Sequence, residues 1–199
     1  MNKVNYQKEL DKIIEQKDDV PTLLLHSCCA PCSSYVIEYL SNFFKITVFY
    51  YNPNIAPKEE YDFRSSEQKR LISQMPTKYP VTYTDEDYDS TQFYKAVKGL
   101  EKEPEGGRRC EKCFELRIGR TAEKAAEGGF DYFATTLTIS PLKNAELINK
   151  IGELLAERYS VKWLPSDFKK KGGYKRSIEL SRIYELYRQS YCGCVFSRR

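Results

Sequence analysis

The 199-residue sequence contains a single histidine, His26, so metal sites built on several imidazoles lack their ligands. It has no apolar run approaching the roughly 20 residues that span a bilayer, which excludes a membrane span. Met1 to Leu10 is polar and charged, so no secretory apolar segment is expected and the chain is expected in the cytoplasm. Aromatics are not scarce: 16 Tyr and 10 Phe, with 41% hydrophobic and 30% charged residues, exclude a disordered chain and suit one domain. What stands out is seven cysteines. An odd number cannot pair fully, and cytoplasmic thiols stay reduced. A secreted disulfide scaffold is excluded, and thiolate chemistry is left to be explained.

The net charge of +4 is unevenly spread. Residues 162–199 carry +7 and residues 1–161 carry −3. A basic C-terminal segment on a slightly acidic body suggests a polyanion docking on one side, although a charge run alone is more often a solvated helix face.

The hydrophobic pattern predicts strands alternating with helices. A short amphipathic helix is expected over Asn5–Lys17. Strands are expected at Thr22–His26, Lys45–Tyr51, Val81–Tyr83, Asp131–Ile139 and Val161–Leu164. Helices are expected from Pro31, and over Pro57–Met75, Ser90–Leu100, Glu111–Glu127, Ala145–Tyr159 and Arg176–Arg188. This alternation implies an α/β single domain, a parallel sheet with helices on both faces. Residues 1–19 are expected to be a helical extension and 20–199 a single α/β domain with a basic C-terminal segment over 162–199. Ligands of such sheets bind at the carboxyl ends of the strands, where Cys28 and Cys29 follow the first strand. The metal site is expected there.

The cysteines fall into three groups: Cys28-Cys29-Ala30-Pro31-Cys32, Cys110-Glu111-Lys112-Cys113 and Cys192-Gly193-Cys194. Three tight clusters are not explained by packing. Cys29–Cys32 with Cys110–Cys113 would supply the four ligands of a zinc site, leaving Cys28, Cys192 and Cys194 without a role. Four thiolates also hold an iron–sulfur cluster, whose adjacent ligands Cys28 and Cys29 can serve different irons. Spacing leaves zinc and iron–sulfur open. Both pairs lie at helix N-termini, which favour thiolate, and Arg108 and Arg109 add positive charge beside Cys110. Cys192-Gly193-Cys194 reads as a strained, reversible dithiol couple, with further metal ligands or free thiols as the alternatives. His26 on the apolar first strand is more often a satisfied core histidine than a catalyst.

Taken in order, these pieces resemble the epoxyqueuosine reductase QueH family. The matching segments are Leu24-Leu-His-Ser-Cys-Cys-Ala-Pro-Cys32, Tyr51-Asn-Pro-Asn-Ile55 with Pro57 and Glu60-Tyr61, and Arg109-Cys110 with Cys113. They continue with Thr135-Thr-Leu137, Ser140-Pro141, Asp167-Phe168, Gly172-Gly173-Tyr174, Tyr187-Arg-Gln-Ser-Tyr-Cys-Gly-Cys194 and Phe196-Ser197. The segment before about Asp19 is outside the resemblance, and Thr138 and Leu142-Lys143 depart from the pattern.

The resemblance implies a HUP/PP-loop-like three-layer sandwich and a cytoplasmic oxidoreductase. Its reaction would be two-electron deoxygenation of epoxyqueuosine to queuosine at the anticodon wobble position of tRNA. It implies a 4Fe-4S cluster on Cys28, Cys29, Cys110 and Cys113, and a redox-active pair in Cys192 and Cys194, fed by a separate electron donor. Cys32 is then placed to hold an additional mononuclear iron. For the tRNA, Lys169, Lys170, Lys171, Lys175, Arg176, Arg182 and Arg188 are the expected phosphate-binding residues. Gly172-Gly173 would let their loop approach a backbone, and Tyr50, Tyr51 and Asn52 would stack on and hydrogen-bond to an extruded base. The alternatives are a zinc-thiolate RNA-binding protein without catalysis and an ATP-dependent tRNA-modifying enzyme. The second needs a glycine-rich phosphate loop, which Ser27-Cys-Cys-Ala-Pro-Cys32 is not.

Overall fold

Leu23 and Leu25 point to one side of the first strand and Leu24 to the other, as a period of two requires, and each side has its own core. The computed structural model describes residues 4–16 and 19–197. Its elements in chain order are α1 (Tyr6–Glu15), β1 (Thr22–His26), α2 (Ala30–Leu40), β2 (Lys45–Tyr50), α3 (Lys58–Gln74), β3 (Val81–Asp85) and α4 (Thr91–Ala96). Then follow α5 (Arg108–Glu127), β4 (Tyr132–Thr135), α6 (Ala145–Tyr159), β5 (Lys162–Trp163) and α7 (Gly173–Ile183).

The five strands form one parallel sheet in the order β3-β2-β1-β4-β5. One core joins α1, α2 and α3 to the sheet through Leu10, Val36, Ile37, Leu40 and Leu71. The other packs α5 and α6 through Phe114, Ile118, Ala122, Ile148 and Ile151. The N-terminal helix belongs to the first core, because Leu10 is fully buried in it. No helix among the described residues is long and apolar enough to cross a membrane.

Several boundaries differ from the sequence pattern. The fourth strand stops at Thr135, where the Thr135 hydroxyl accepts from the Leu137 amide (3.2 Å) and turns Thr136–Ile139 into a 3-10 helix. Helix α7 begins at Gly173 rather than Arg176, entered through left-handed Gly172 (φ +75°). It ends at Ile183, shortly before Glu185 adopts positive φ (+50°). The fourth helix is shorter than its apolar pattern, ending at Ala96.

The strand order reverses beside β1: β2 and β3 extend one way, β4 and β5 the other. A crevice therefore opens where the carboxyl ends of β1 and β4 diverge.

Candidate functional site

The turn after β1 is held from several sides. The Ser27 amide donates to the Phe49 carbonyl (3.0 Å), and the Asn52 Nδ2 donates to the Ser27 carbonyl (2.8 Å). Gln68 Oε1 accepts from the hydroxyls of Ser27 (2.7 Å) and Ser33 (2.8 Å). His26 is fully buried. Its Nε2 lies 3.2 Å from the Tyr51 carbonyl and its Nδ1 2.8 Å from the Thr135 hydroxyl. A carbonyl can only accept, so Nε2 carries the proton. Burial, then the charge of Arg117, lowers the His26 pKa to about 3, and the ring stays neutral. It is a core histidine tying three strand ends together.

This clamped turn presents Cys28, Cys29 and Cys32, whose sulfur atoms all lie within 4.8 Å of one another. Cys28 and Cys29 Sγ are 3.8 Å apart, and Cys28 Sγ is 3.8 Å from the Thr136 hydroxyl. Cys29 is the N-cap of α2, with Pro31 in its first turn, as expected. Cys110 and Cys113 lie in the first turns of α5, three residues apart and so on one face. The Gly106 amide reaches Cys110 Sγ at 3.2 Å. Cys113 packs with Cys194, Phe93 and Val97, with Cys192 and Phe196 alongside.

The third group is fastened from outside its own segment. The Ala56 amide donates to the Gly193 carbonyl (3.1 Å) and Arg64 Nη1 to the Cys192 carbonyl (3.2 Å). Gly193 has φ +102°, and a Cβ there would sit 2.8 Å from Ile55 Cγ1. Glycine is therefore required between the two cysteines on both counts.

All seven cysteines are free thiols, and all seven line one cavity of about 960 Å³. The lining also carries Arg64, Arg109, Arg117, Lys143 and Arg188, against one carboxylate, Glu105. Hydrogen bonds from the Cys29 and Cys32 thiols hold Cys28 well below the usual thiol pKa. The same coupling pushes Cys29 up to about 12 and Cys32 well above its usual value. Negative charge in this group therefore settles on Cys28. Cys192 is drawn down to about 5 by the Cys194 thiol and, against burial, by the Ser197 hydroxyl (3.2 Å). Cys194 is pushed up in turn. Such a split, one thiolate beside one protonated thiol, is the state from which dithiols react.

Cys110, Cys113, Cys192 and Cys194 form no second such triplet among the described residues, but they share the cavity with the first. Arg64 is paired with Glu60 (2.7 Å), whereas Arg109 and Arg117 have no acidic partner among the described residues; soft, buried and half-buried thiols facing such cations fit a thiolate-held metal ion or cluster. Cys32 stands with Cys28 and Cys29 rather than apart from them.

The expected base-binding residues are elsewhere. Tyr50 and Asn52 are fully buried, and Tyr51 is 4% exposed. The Tyr51 hydroxyl donates to Gln92 (2.6 Å), its ring stacks on Phe49, and Asn52 Oδ1 accepts from Arg117 Nη1 (3.1 Å). Side chains so enclosed present no face to a base. The motif marks an internal brace. Gly173 is likewise needed inside the fold, since a Cβ there would lie 2.0 Å from the Phe168 carbonyl.

The basic segment divides. Lys169 pairs with Asp167, Lys171 with Asp11 (2.7 Å), and Arg176 with Glu38 (2.6 Å) and Glu179 (3.2 Å). Lys170, Lys175, Arg182 and Arg188 are exposed and form no ion pair among the described residues. Of these, Arg188 lines the cavity. The mouth also carries Leu142, 80% exposed, and Tyr174, 38% exposed. Neither is singled out by the hydrophobic pattern. Gln68 carries no sequence signal at all.

A parallel α/β domain with a thiol-filled crevice at its strand reversal defines a thiolate-centred protein. The epoxyqueuosine reductase QueH family model matches residues 23–199. The chain is 46% identical to epoxyqueuosine reductase QueH of Streptococcus pyogenes serotype M1, over 99% of this chain and 79% of that protein. It is 48% identical to the Staphylococcus epidermidis protein of the same name (98% and 85%), and 36% identical to that of Thermotoga maritima (88% and 90%). The chain belongs to the epoxyqueuosine reductase QueH family, a family of oxidoreductases.

Proposed function

We propose that this protein removes the epoxide oxygen of epoxyqueuosine in tRNA, leaving an alkene and water. The observation that carries the reading is the convergence of all seven thiols on one cavity, together with the family membership. Opening the epoxide consumes two electrons and two protons. Oxidation of the Cys192/Cys194 dithiol to a disulfide releases the same two electrons and two protons, so the pair balances one turnover. A separate electron donor then returns the disulfide to the dithiol.

Cys28, Cys29, Cys110 and Cys113 would hold a 4Fe-4S cluster and Cys32 would share in holding a further iron. When bound, these groups supply single electrons and a Lewis acid for the leaving oxygen. The chain's own residues do the rest. Gln68 and Asn52 fix the first thiol turn, and Arg64 fixes the Cys192 backbone. At the mouth, Tyr174 and Leu142 offer an apolar shelf for an unstacked base, and Arg188 a cation for a phosphate. A wobble nucleotide already lies in a loop, which keeps the unstacking cost small.

The strand order and the two helical layers support placing the domain among HUP/PP-loop-like sandwiches. The helix Tyr6–Glu15 is an N-terminal extension packed through Leu10 on the catalytic domain that begins near residue 20. Reduced thiols and a tRNA substrate suit the cytoplasm.

Anaerobic purification with iron and sulfide analysis, followed by a multiple-turnover assay on epoxyqueuosine-containing tRNA, tests the reading. Brown protein, about four irons or more per chain, and conversion to queuosine are expected. Colourless protein with stoichiometric zinc and no conversion would overturn it in favour of a non-catalytic zinc-thiolate RNA binder.

A further inference from the structure

Arg117 is 4% exposed, lines the cysteine cavity and has no carboxylate partner among the described residues. Its Nη1 donates to Asn52 Oδ1 (3.1 Å) and its Nε to the Cys113 carbonyl at a long 3.4 Å. Both acceptors are neutral. Arg109, two turns earlier on α5, is 3% exposed, and its Nη1 donates to the carbonyls of Glu101 and Glu103. Its Nε has no partner. A guanidinium stays charged, and a buried charge without a counter-charge is strongly unfavourable. The fold therefore carries buried positive charge that its own acidic residues do not balance.

The position of Arg117 says what balances it. One end bonds the backbone of Cys113. The other bonds Asn52, whose Nδ2 holds the carbonyl of Ser27, next to Cys28. Arg117 thus spans the two cysteine groups that are far apart in sequence. A centre held by four thiolates carries a net charge of about −2, whether the metal is zinc or an oxidised four-iron core. We propose that Arg117, oriented by Asn52, is the built-in counter-charge of the thiolate centre: it offsets the negative charge that metal loading brings into the crevice. The proposal rests on the reading of the cavity as a metal centre, but not on which metal.

The role is one of positioning charge, so the test separates charge from packing. Arg117→Gln and Arg117→Lys both keep an N–H donor and differ in charge. Each is compared with the unaltered chain by anaerobic loading with ferrous iron and sulfide, and separately by titration with zinc. Thermal midpoints are recorded with and without metal. Arg117→Gln is expected to hold either metal roughly 10–100-fold more weakly, the range seen when a group supporting a metal site is removed. Its gain in thermal midpoint on loading should shrink, and the reduction potential of its iron centre should fall. Arg117→Lys should recover most of each effect. Equal metal affinity in the Gln and Lys variants would overturn the proposal and leave Arg117 a packing residue. If the unaltered chain binds neither metal, the metal reading itself fails. If it takes zinc and refuses iron and sulfide, the reductase reading fails while Arg117 is still tested on zinc.

Discussion

The cysteine crevice and the surface formed by α1, α2 and α7 both gather basic residues, but they treat charge in opposite ways. On the surface, Lys171 meets Asp11, Arg176 meets Glu38 and Lys169 meets Asp167. In the crevice, Arg109 and Arg117 are buried with no acidic partner among the described residues. The surface pairs are half-exposed and screened, so each contributes little. The crevice cations are desolvated, and an anionic occupant would offset their cost. The same residue types thus mark docked helices in one region and a binding centre in the other. Net charge along the chain does not distinguish the two.

Four experiments sharpen or break this contrast. The largest effect is expected in the crevice: Cys192→Ser with Cys194→Ser should abolish multiple turnover while iron content stays unchanged. Unchanged turnover would remove the pair as the electron relay. In the reduced, metal-free chain the Cys192 thiol, lowered to about 5 from an ordinary 9.0, should alkylate near neutral pH well before Cys194. By linkage, a depressed thiol contributes stability that is full above the unfolded value and is lost as pH falls through about 5. An alkylation midpoint near 9 for Cys192 would contradict the assignment.

An intermediate effect is expected where the basic segment divides. Replacing Lys170, Lys175, Arg182 and Arg188 with Ala should weaken RNA binding and lower its salt slope by about 0.7 for each phosphate no longer neutralised. Replacing Lys169, Lys171 and Arg176 should change the slope little, because their charges are already paired. Equal slopes for the two sets would erase the distinction. The smallest effect is expected at the surface itself. Glu38→Gln should cost less than about 1 kcal/mol in denaturant unfolding, with metal content unchanged. A larger destabilisation would show that the α2–α7 pairing contributes more than exposed ion pairs usually do.

Much of the architecture is legible in the sequence. β1 and β2 match their patterns closely: β1 is an apolar run of strand length after Pro21, and β2 is β-branched and aromatic. The helix start at Cys29-Ala30-Pro31 is readable from proline alone. The fourth strand is shorter than its pattern because Thr-Leu-Thr-Ile reads as strand, while a side-chain cap at Thr135 decides otherwise. Tyr51 and Asn52 mislead because a polar pair after a strand looks the same whether it faces solvent or braces a buried arginine. Lys171 and Arg176 read as free cations because Asp11 and Glu38 are distant in sequence.

The sequence by itself determined the chemistry available: seven thiols in three spaced groups, one histidine, and strands alternating with helices. Those follow from composition and local periodicity, which are properties of neighbours along the chain. Only the tertiary structure decided that the three groups open onto one cavity and that Cys32 sits with Cys28 and Cys29. It also decided which cations keep their charge unpaired. The reason is physical: the strand reversal at β1 brings together segments far apart along the chain, and electrostatic balance depends on distance in space.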